Sequence, residues 1–506
     1  MATAQILPPI LALVKHHPVA LVLLVICCYL LSNRYQRNLH RIPGPWIRSV
    51  STIPRMWSVY RGRSHEDDLA LHRKYGKIVR VAPNTLSISD PKEITKIYGV
   101  GTKFYKSRFY ELSAVYDEEG LVPDTFVLAN KELHSRMKRN AASAYSMNAL
   151  VQMEPWLDGP TDRLLQILKE HAASQKSCDL GELLKRYAMD AVFSLTFGQD
   201  LDFLRKGDEI GMFKTLDIFT DYMAIFGQVP WTHRFLLGNP TIATWFLGPA
   251  AASQDALLAL AARSIQSSRA ATTTPSSPPT FLHRLLHTQR AHPASLTDRE
   301  ILTHAFGNIA AGSDTTATAL RAVLLALLTH PAALARLRRD LAAAGLTADR
   351  PISYARAAAV PYLVACVREA TRLHPSVGML LARVSDAPAT LCGHAVAAGT
   401  EVGVSPWVVQ RDGGVYAEAD AFVPERWLGG AEAVGRLSGS YFAFGAGAHT
   451  CSGRGVALVE VTRLVAVVVG GFEVELVGGA EGVGFKNRWF TPQWGMEVLV
   501  KERKSG

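Results

Sequence analysis

The chain has only six cysteines in 506 residues: Cys27, Cys28, Cys178, Cys366, Cys392 and Cys451. They form no C-x-x-C pair and no regular framework, which excludes a zinc scaffold or a disulfide-stapled fold and fits a reducing, cytosol-facing compartment. Charge is scarce too. Charged residues make up 19% against 48% apolar, a balance that excludes disorder and allows a large core. No internal repeat is present. Gly445-Ala446-Gly447 lacks the third glycine of G-x-G-x-x-G and no βαβ pattern follows it, so no dinucleotide site is expected. The net charge is +10 with pI near 9.3, but the basic residues are dispersed and no aromatic-basic module accompanies them. A nucleic-acid partner is therefore excluded. A basic surface suits an anionic membrane face or an acidic protein partner instead.

What is present begins at the N-terminus. Pro18 to Leu31 is apolar, and Ile6 to Val14 is a weaker apolar stretch set apart by Lys15-His16-His17. The stronger run is short for a span of ~20 residues unless the helix tilts or recruits its flanks. Arg34, Arg37 and Arg41 follow it against one preceding lysine, which leaves the main body cytosolic. A cleaved signal peptide is the alternative, though no small-x-small site precedes the arginines. The expected division is a membrane anchor with basic flank over 1–41 and the functional domain over 42–506. Alanine-rich Ala332 to Ala344 reads as helix, with Pro331 at its start and Gly345 at its stop. Ser267 to Pro279 and Gly429 to Gly439 read as flexible loops.

Four clusters carry chemistry. Phe444-Gly445-Ala446-Gly447-Ala448-His449-Thr450-Cys451-Ser452-Gly453 offers a lone thiolate with small neighbours. Such a thiolate can hold a haem iron and favour O–O cleavage, while glycines let the backbone turn beneath a macrocycle. Helix-compatible Gly455 to Val468 follows, so Cys451 lies near a helix N-terminus, which favours the anion. The bland alternative is a Gly-rich turn with a buried free cysteine. Glu369 and Arg372 share one face of a helix predicted from Pro361 to Leu373. Inside an apolar helix the pair needs further partners, and Arg426 of Pro424-Glu425-Arg426-Trp427 is the natural third member. A surface i,i+3 salt bridge is the alternative there. The longest helix starts at the capping box Thr297-Asp298-Arg299-Glu300 and runs toward Pro331, roughly 33 residues or about 50 Å. Its middle, Ala311-Gly312-Ser313-Asp314-Thr315-Thr316, is rich in poor helix formers, which marks function. The alternative is that serine and threonine simply bond the i−4 carbonyl and bend the helix.

In order and spacing these clusters resemble the F-x-x-G-x-x-x-C-x-G, E-x-x-R, P-E-R-W and A-G-x-D-T-T motifs of the cytochrome P-450 superfamily. The resemblance runs from Pro43, in the proline-rich hinge Ile42-Pro43-Gly44-Pro45, to the C-terminus. It implies a mainly α fold with a small β portion, a single large haem domain behind the anchor. Cys451 is then the axial ligand of haem b, with Phe444 and Gly447 around the sulfur. Glu369, Arg372 and Arg426 form a structural clamp. Thr315 helps deliver protons to bound oxygen, with Asp314 as relay neighbour. The family's W-x-x-x-R and pre-cysteine Arg become His134, Lys138 and His449 here, which with Arg383 are the candidates for the haem propionates. By position Phe306, Ala310, Ala311, Val377 to Leu381 and Phe490 to Thr491 line the substrate pocket. The implied activity is an NADPH- and O2-dependent monooxygenase. Its electrons come from a separate NADPH–cytochrome reductase, its substrate is an apolar small molecule, and its site is the endoplasmic reticulum membrane. Hydroxylation, epoxidation and O-demethylation all fall within it. The stretch from Val115 to Lys138 is similar to filamentous-fungal members of the pisatin-demethylase type, which implies secondary metabolism. The rival activities are a haem-thiolate isomerase or dehydratase without reductase, and a non-catalytic membrane haem-binding protein.

Overall fold

The structure is a computed structural model and describes residues 18–114, 116–117, 120–209, 211–247, 249–270, 278–346 and 352–503. The weak apolar stretch Ile6 to Val14 lies outside them, as do Val115, Glu118 and Glu119. Helix α1 (Pro18–Tyr35) is the apolar helix expected near the N-terminus. With the turn after it, Val19–Arg41 is long and apolar enough to cross a bilayer, and its 18-residue apolar window is not buried against the rest. Two short helices, α2 (Trp46–Val50) and α3 (Ile53–Tyr60), lead into the body.

A five-stranded sheet forms one side. Its strands are β1 (Ile78–Ala82), β2 (Thr85–Ile88), β3 (Tyr105–Lys106), β4 (Arg383–Val384) and β5 (Glu401–Val404). The spatial order is β1-β2-β5-β4-β3, with β5 parallel to β2 and the other pairs antiparallel. The register sets Lys106 opposite Arg383. The remainder is helical. The helices that position the site are α4 (Lys131–Ala141), α5 (Leu180–Phe197), α6 (Met212–Phe226), α7 (Asp298–Leu328), α8 (Pro331–Ala343) and α9 (Pro361–Leu373). Behind them come α10 (Ala431–Ser440) and α11 (Arg454–Gly471). One apolar core joins α5, α7, α9 and α11, and a second packs around the sheet.

Helix α7 is the axis of the molecule. The capping box forms as the sequence predicts: Thr297 Oγ1 accepts from the Glu300 N–H at 3.2 Å, and the Thr297 N–H donates to Glu300 Oε2 at 2.9 Å. The helix runs 31 residues, about 46 Å. It ends before Pro331, where α8 turns away by 105°. Its most extensive neighbour is α5, and the two touch at Gly312, where an added Cβ would meet Val192 Cγ2 at 2.8 Å.

Two loop expectations are corrected. Gly429 to Gly439 is largely helix α10, because Val434 and Leu437 pack against Tyr416 and Trp427. Gly435 and Gly439 face open space, so the apolar contacts outweigh their entropy cost. Ser267 to Ala270 closes the helix Pro249–Ala270, held by Arg269, which pairs with Asp298 at 2.5 Å. Residues 271–277 of that expected loop lie outside the described residues. The capping box yields a test: Thr297→Ala should lower stability by about 1 kcal/mol, read as an earlier midpoint in chemical denaturation.

Candidate active site

The cysteine loop is built by its glycines. Gly445 and Gly447 adopt φ of 68° and 61°, left-handed conformations that glycine takes without a Cβ penalty. A Cβ on Gly447 would collide with the Tyr98 carbonyl. The Cys451 N–H closes the loop on the Phe444 carbonyl at 2.9 Å. Burial pushes the Cys451 thiol up, while the Gly453 N–H, the Lys138 ammonium and the Arg454 N–H and guanidinium all favour the anion. Its surface is nevertheless exposed, as for a sulfur at the edge of an internal cavity. Cys178 and Cys366 are buried, and Cys178 is pushed up to about 11 by burial. Cys178 feels acids beside it, and Cys366 feels Arg336 but also Glu425, Asp340 and Glu369.

Around the loop the fold gathers positive charge. His449 Nδ1 lies 3.1 Å from His134 Nε2, so in the neutral pair one ring donates to the other. Lys106 and Arg383 sit side by side on β3 and β4, 5% and 4% exposed. Like charges directly opposite in a sheet are destabilising. Burial, then Arg383, pushes Lys106 down to about 7. Burial followed by Lys106, Lys138 and Arg383 pushes His134 down to about 4, and burial with the same bases pushes His449 to about 2. The charges these rings feel most are all positive. Arg383 donates to the Tyr110 hydroxyl at 2.9 Å, but its Nε is buried without a partner. A buried orphan donor inside a cluster of bases is the signature of a missing anion. With a thiolate beside it, the donor set fits haem: sulfur for the iron, bases for the propionates.

Lys138 differs from expectation. Its ammonium is committed to the carbonyls of Ala448, at 2.9 Å, and Thr450, so it braces the cysteine loop while contributing charge.

The clamp forms in full. Glu369 and Arg372 are both fully buried, with Arg372 Nε and Nη2 each 2.8 Å from the carboxylate. Glu369 also accepts from Arg426 Nε at 2.9 Å, Trp427 Nε1 at 2.8 Å and the Val423 N–H at 3.1 Å. Burial alone would raise its pKa. The Arg372 hydrogen bonds and charge outweigh that and hold the carboxyl below its usual range. Arg372 further donates to the carbonyls of Gln410, Ala419 and Ala421. Gln410 then accepts from the Phe442 N–H at 2.7 Å, so the network reaches the start of the cysteine loop.

On α7, Ala311 is exposed and Phe306, Ala310 and Thr315 are half-buried, as are Gly307, Asn308 and Gly312. Thr315 Oγ1 donates to the Ala311 carbonyl at 2.7 Å, the i−4 bond, and leaves its lone pairs free. Asp314 is buried and lies 3.3 Å from Lys185 Nζ, which also stands 3.7 Å from Asp217 on α6. Of the other pocket candidates, Val377 and Phe490 are partly buried and pair as a β-bridge. Met379 and Leu380 are buried. Thr491 turns away, its hydroxyl donating to the Pro375 carbonyl at 2.7 Å.

The sequence model of the family described as Cytochrome P450 matches residues 43–490. The chain belongs to the cytochrome P450 family. It is 33% identical to "Cytochrome P450 monooxygenase pkfB" of Emericella nidulans, covering 96% of this chain and 95% of that protein. It is 32% identical to "Cytochrome P450 monooxygenase AFLA_114810" of Aspergillus flavus, covering 95% and 96%. "Cytochrome P450 monooxygenase cicH" of Emericella nidulans is 32% identical over 93% and 95%.

Within the P450 fold, sequence reasoning missed Lys106, Lys185 and Gln410. Each acts across a long sequence gap, Lys106 being placed by strand register alone. The P-E-R-W motif held a usable hint for Trp427, whose indole completes the clamp. Two tests follow from the geometry. Cys451→Ala should abolish the red-shifted Soret band of the reduced carbon-monoxide complex, and Cys366→Ala and Cys392→Ala should keep it. Glu369→Ala strands Arg372 in the core and should cost about 3–5 kcal/mol, seen as loss of folded, haem-binding protein on expression.

Proposed function

We propose that this P450 is a haem-thiolate monooxygenase that inserts one oxygen atom from O2 into an apolar small molecule in fungal secondary metabolism. Hydroxylation, epoxidation and O-demethylation are all within its reach. The observation that carries the reading is the half-buried Thr315 hydroxyl on α7, bonded to the i−4 carbonyl of Ala311, with the buried carboxylate of its sequence neighbour Asp314 held 3.3 Å from Lys185, in a protein with a thiolate loop. A protein that only stored haem or rearranged its substrate has no use for a proton path.

Haem b bound through the Cys451 thiolate supplies reductive O2 activation and O–O cleavage. Arg383, His134, His449 and Lys106 hold its carboxylates, and Lys138 and the clamp keep the loop in place. The protein's own chemistry is proton delivery. Asp314 takes up a proton at its carboxylate, with Lys185 holding that carboxylate in position. Thr315 Oγ1 would exchange its bond to the Ala311 carbonyl for one directed into the pocket, giving up its hydroxyl proton there and taking back the one supplied from Asp314. Phe306, Ala310 and Ala311 shape the apolar pocket. Electrons come from a separate NADPH–cytochrome reductase.

Residues 1–41 act as a single anchor in the endoplasmic reticulum membrane, with residues 42–506 as the cytosolic catalytic domain. Helix α1 supports this, as do the exposed Trp46, Ile47, Ile53 and Trp57 beside it. The test is Thr315→Ala. It should bind haem and substrate normally, while product per NADPH falls on the order of 10²-fold, or less where water substitutes, and peroxide rises. Activity without NADPH in the parent protein would instead mark an isomerase, and unchanged coupling would remove Thr315 from the mechanism.

A further inference from the structure

The junction between α1 and the body is built unlike a tether. Arg80 on β1 is fully buried, yet among the described residues no carboxylate is bonded to it. Its guanidinium donates to the carbonyls of Asn33 at 2.5 Å and Arg34 at 2.8 Å, the last turn of α1. The same guanidinium bonds the Pro83 carbonyl at 2.6 Å. A helix leaves its last carbonyls without intrahelical partners, and its C-terminal dipole end attracts a cation. Arg80 therefore caps α1 from inside the catalytic domain.

The chain beyond the cap is pinned as well. Arg37 and Asn38 take left-handed backbone conformations, φ 49° and 60°, costly for residues with a side chain and kept only where surroundings impose them. The Arg37 guanidinium bonds Asn84 Oδ1, and Asn84 Nδ2 donates to the Gly399 carbonyl at 2.9 Å. Leu39 is fully buried in the core around the sheet. From the other side, Asn33 Nδ2 donates to the Val50 carbonyl at 2.9 Å, tying α1 to α2.

We propose that Arg80 and the Arg37–Asn84 clasp make α1 a rigid strut. It fixes the angle at which the catalytic domain meets a lipid bilayer and holds the edge at Trp46, Ile47, Ile53 and Trp57 against it. The proposal rests on the membrane reading of α1. A proline-rich segment at 42–45 then serves as a docked crossing, for Arg80 itself donates its backbone N–H to the Pro43 carbonyl at 2.8 Å.

The experiment uses the full chain in phosphatidylcholine vesicles. Trypsin cleavage between Arg34 and Arg41 is timed, and haem tilt is read by linear dichroism in oriented bilayers. Wild type should resist cleavage and show one narrow tilt. Arg80→Met should be cut about tenfold faster, since cleavage follows the population of the opened segment, and its tilt distribution should broaden. Asn84→Ala leaves the buried arginine in place and should shift both readouts in the same direction by less. It decides the matter if Arg80→Met does not fold. Wild-type cleavage rates and dichroism in Asn84→Ala, and in Arg80→Met where that variant folds, would overturn the strut. Failure of the parent protein to float with the vesicles would sink the membrane reading instead, and the cleavage comparison in buffer would still decide whether the junction is rigid.

Discussion

One buried carboxylate, Glu369, organises the half of the molecule that holds the cysteine loop. An isolated ion there would be prohibitively costly, and the chain answers with five donors from Arg372, Val423, Arg426 and Trp427. Arg372 donates from α9, and the other donors come from one short segment, Val423 to Trp427, whose regular structure is a single 3-10 stretch, Pro424–Leu428. Because each is needed to satisfy the charge, none can drift without stranding another. Order in the irregular part of the stretch from Gln410 to Phe442 is thus borrowed largely from electrostatics, while α10 within it rests on the apolar contacts of Val434 and Leu437.

The opposite arrangement surrounds the cysteine. There the fold brings Lys106, Arg383, Lys138 and two histidines together with, among the described residues, no matching carboxylate bonded to them, and the like-charged neighbours Lys106 and Arg383 face each other across two strands. The clamp is closed within the protein, whereas this cluster is complete only with an anion. The two networks meet through the loop: Gln410 fixes its beginning at Phe442, and Lys138 fixes its end at Ala448 and Thr450. A ligand that neutralises the bases therefore acts on a loop already held at both ends, which suits a site assembled before the cofactor arrives.

Legibility followed locality. The caps of α7 and the bounds of α9 were readable because a few adjacent residues determine them, and the clamp triad because its members belong to short motifs. Helix α10 was misread because its two glycines speak for a loop, whereas its apolar residues find partners on distant Tyr416 and Trp427. Lys106 carries no motif at all; only pairing of β3 with β4 brings it to Arg383. Lys185 is one of two adjacent basic residues on α5, unmarked until α6 and α7 place acids on either side of it. The replacement of the family's Trp, Arg and Arg by His134, Lys138 and His449 was visible. That Lys138 would spend its donors on backbone carbonyls was not, since backbone acceptors leave no trace in sequence.

Gly312 lies among the residues read as catalytic, yet what forbids a side chain there is Val192, one helix away. Its letter in the motif is written by a neighbour. Position 312 is accordingly free to change only when position 192 changes with it: a smaller residue on α5 would admit alanine on α7, and neither substitution alone would be neutral. Thr315, three residues further along α7, is held instead by the bond from its own hydroxyl to the Ala311 carbonyl. A single short signature thus holds two kinds of constraint, a contact between helices and a bond within one, and the pair of helices is the smallest unit in which the first can be rewritten.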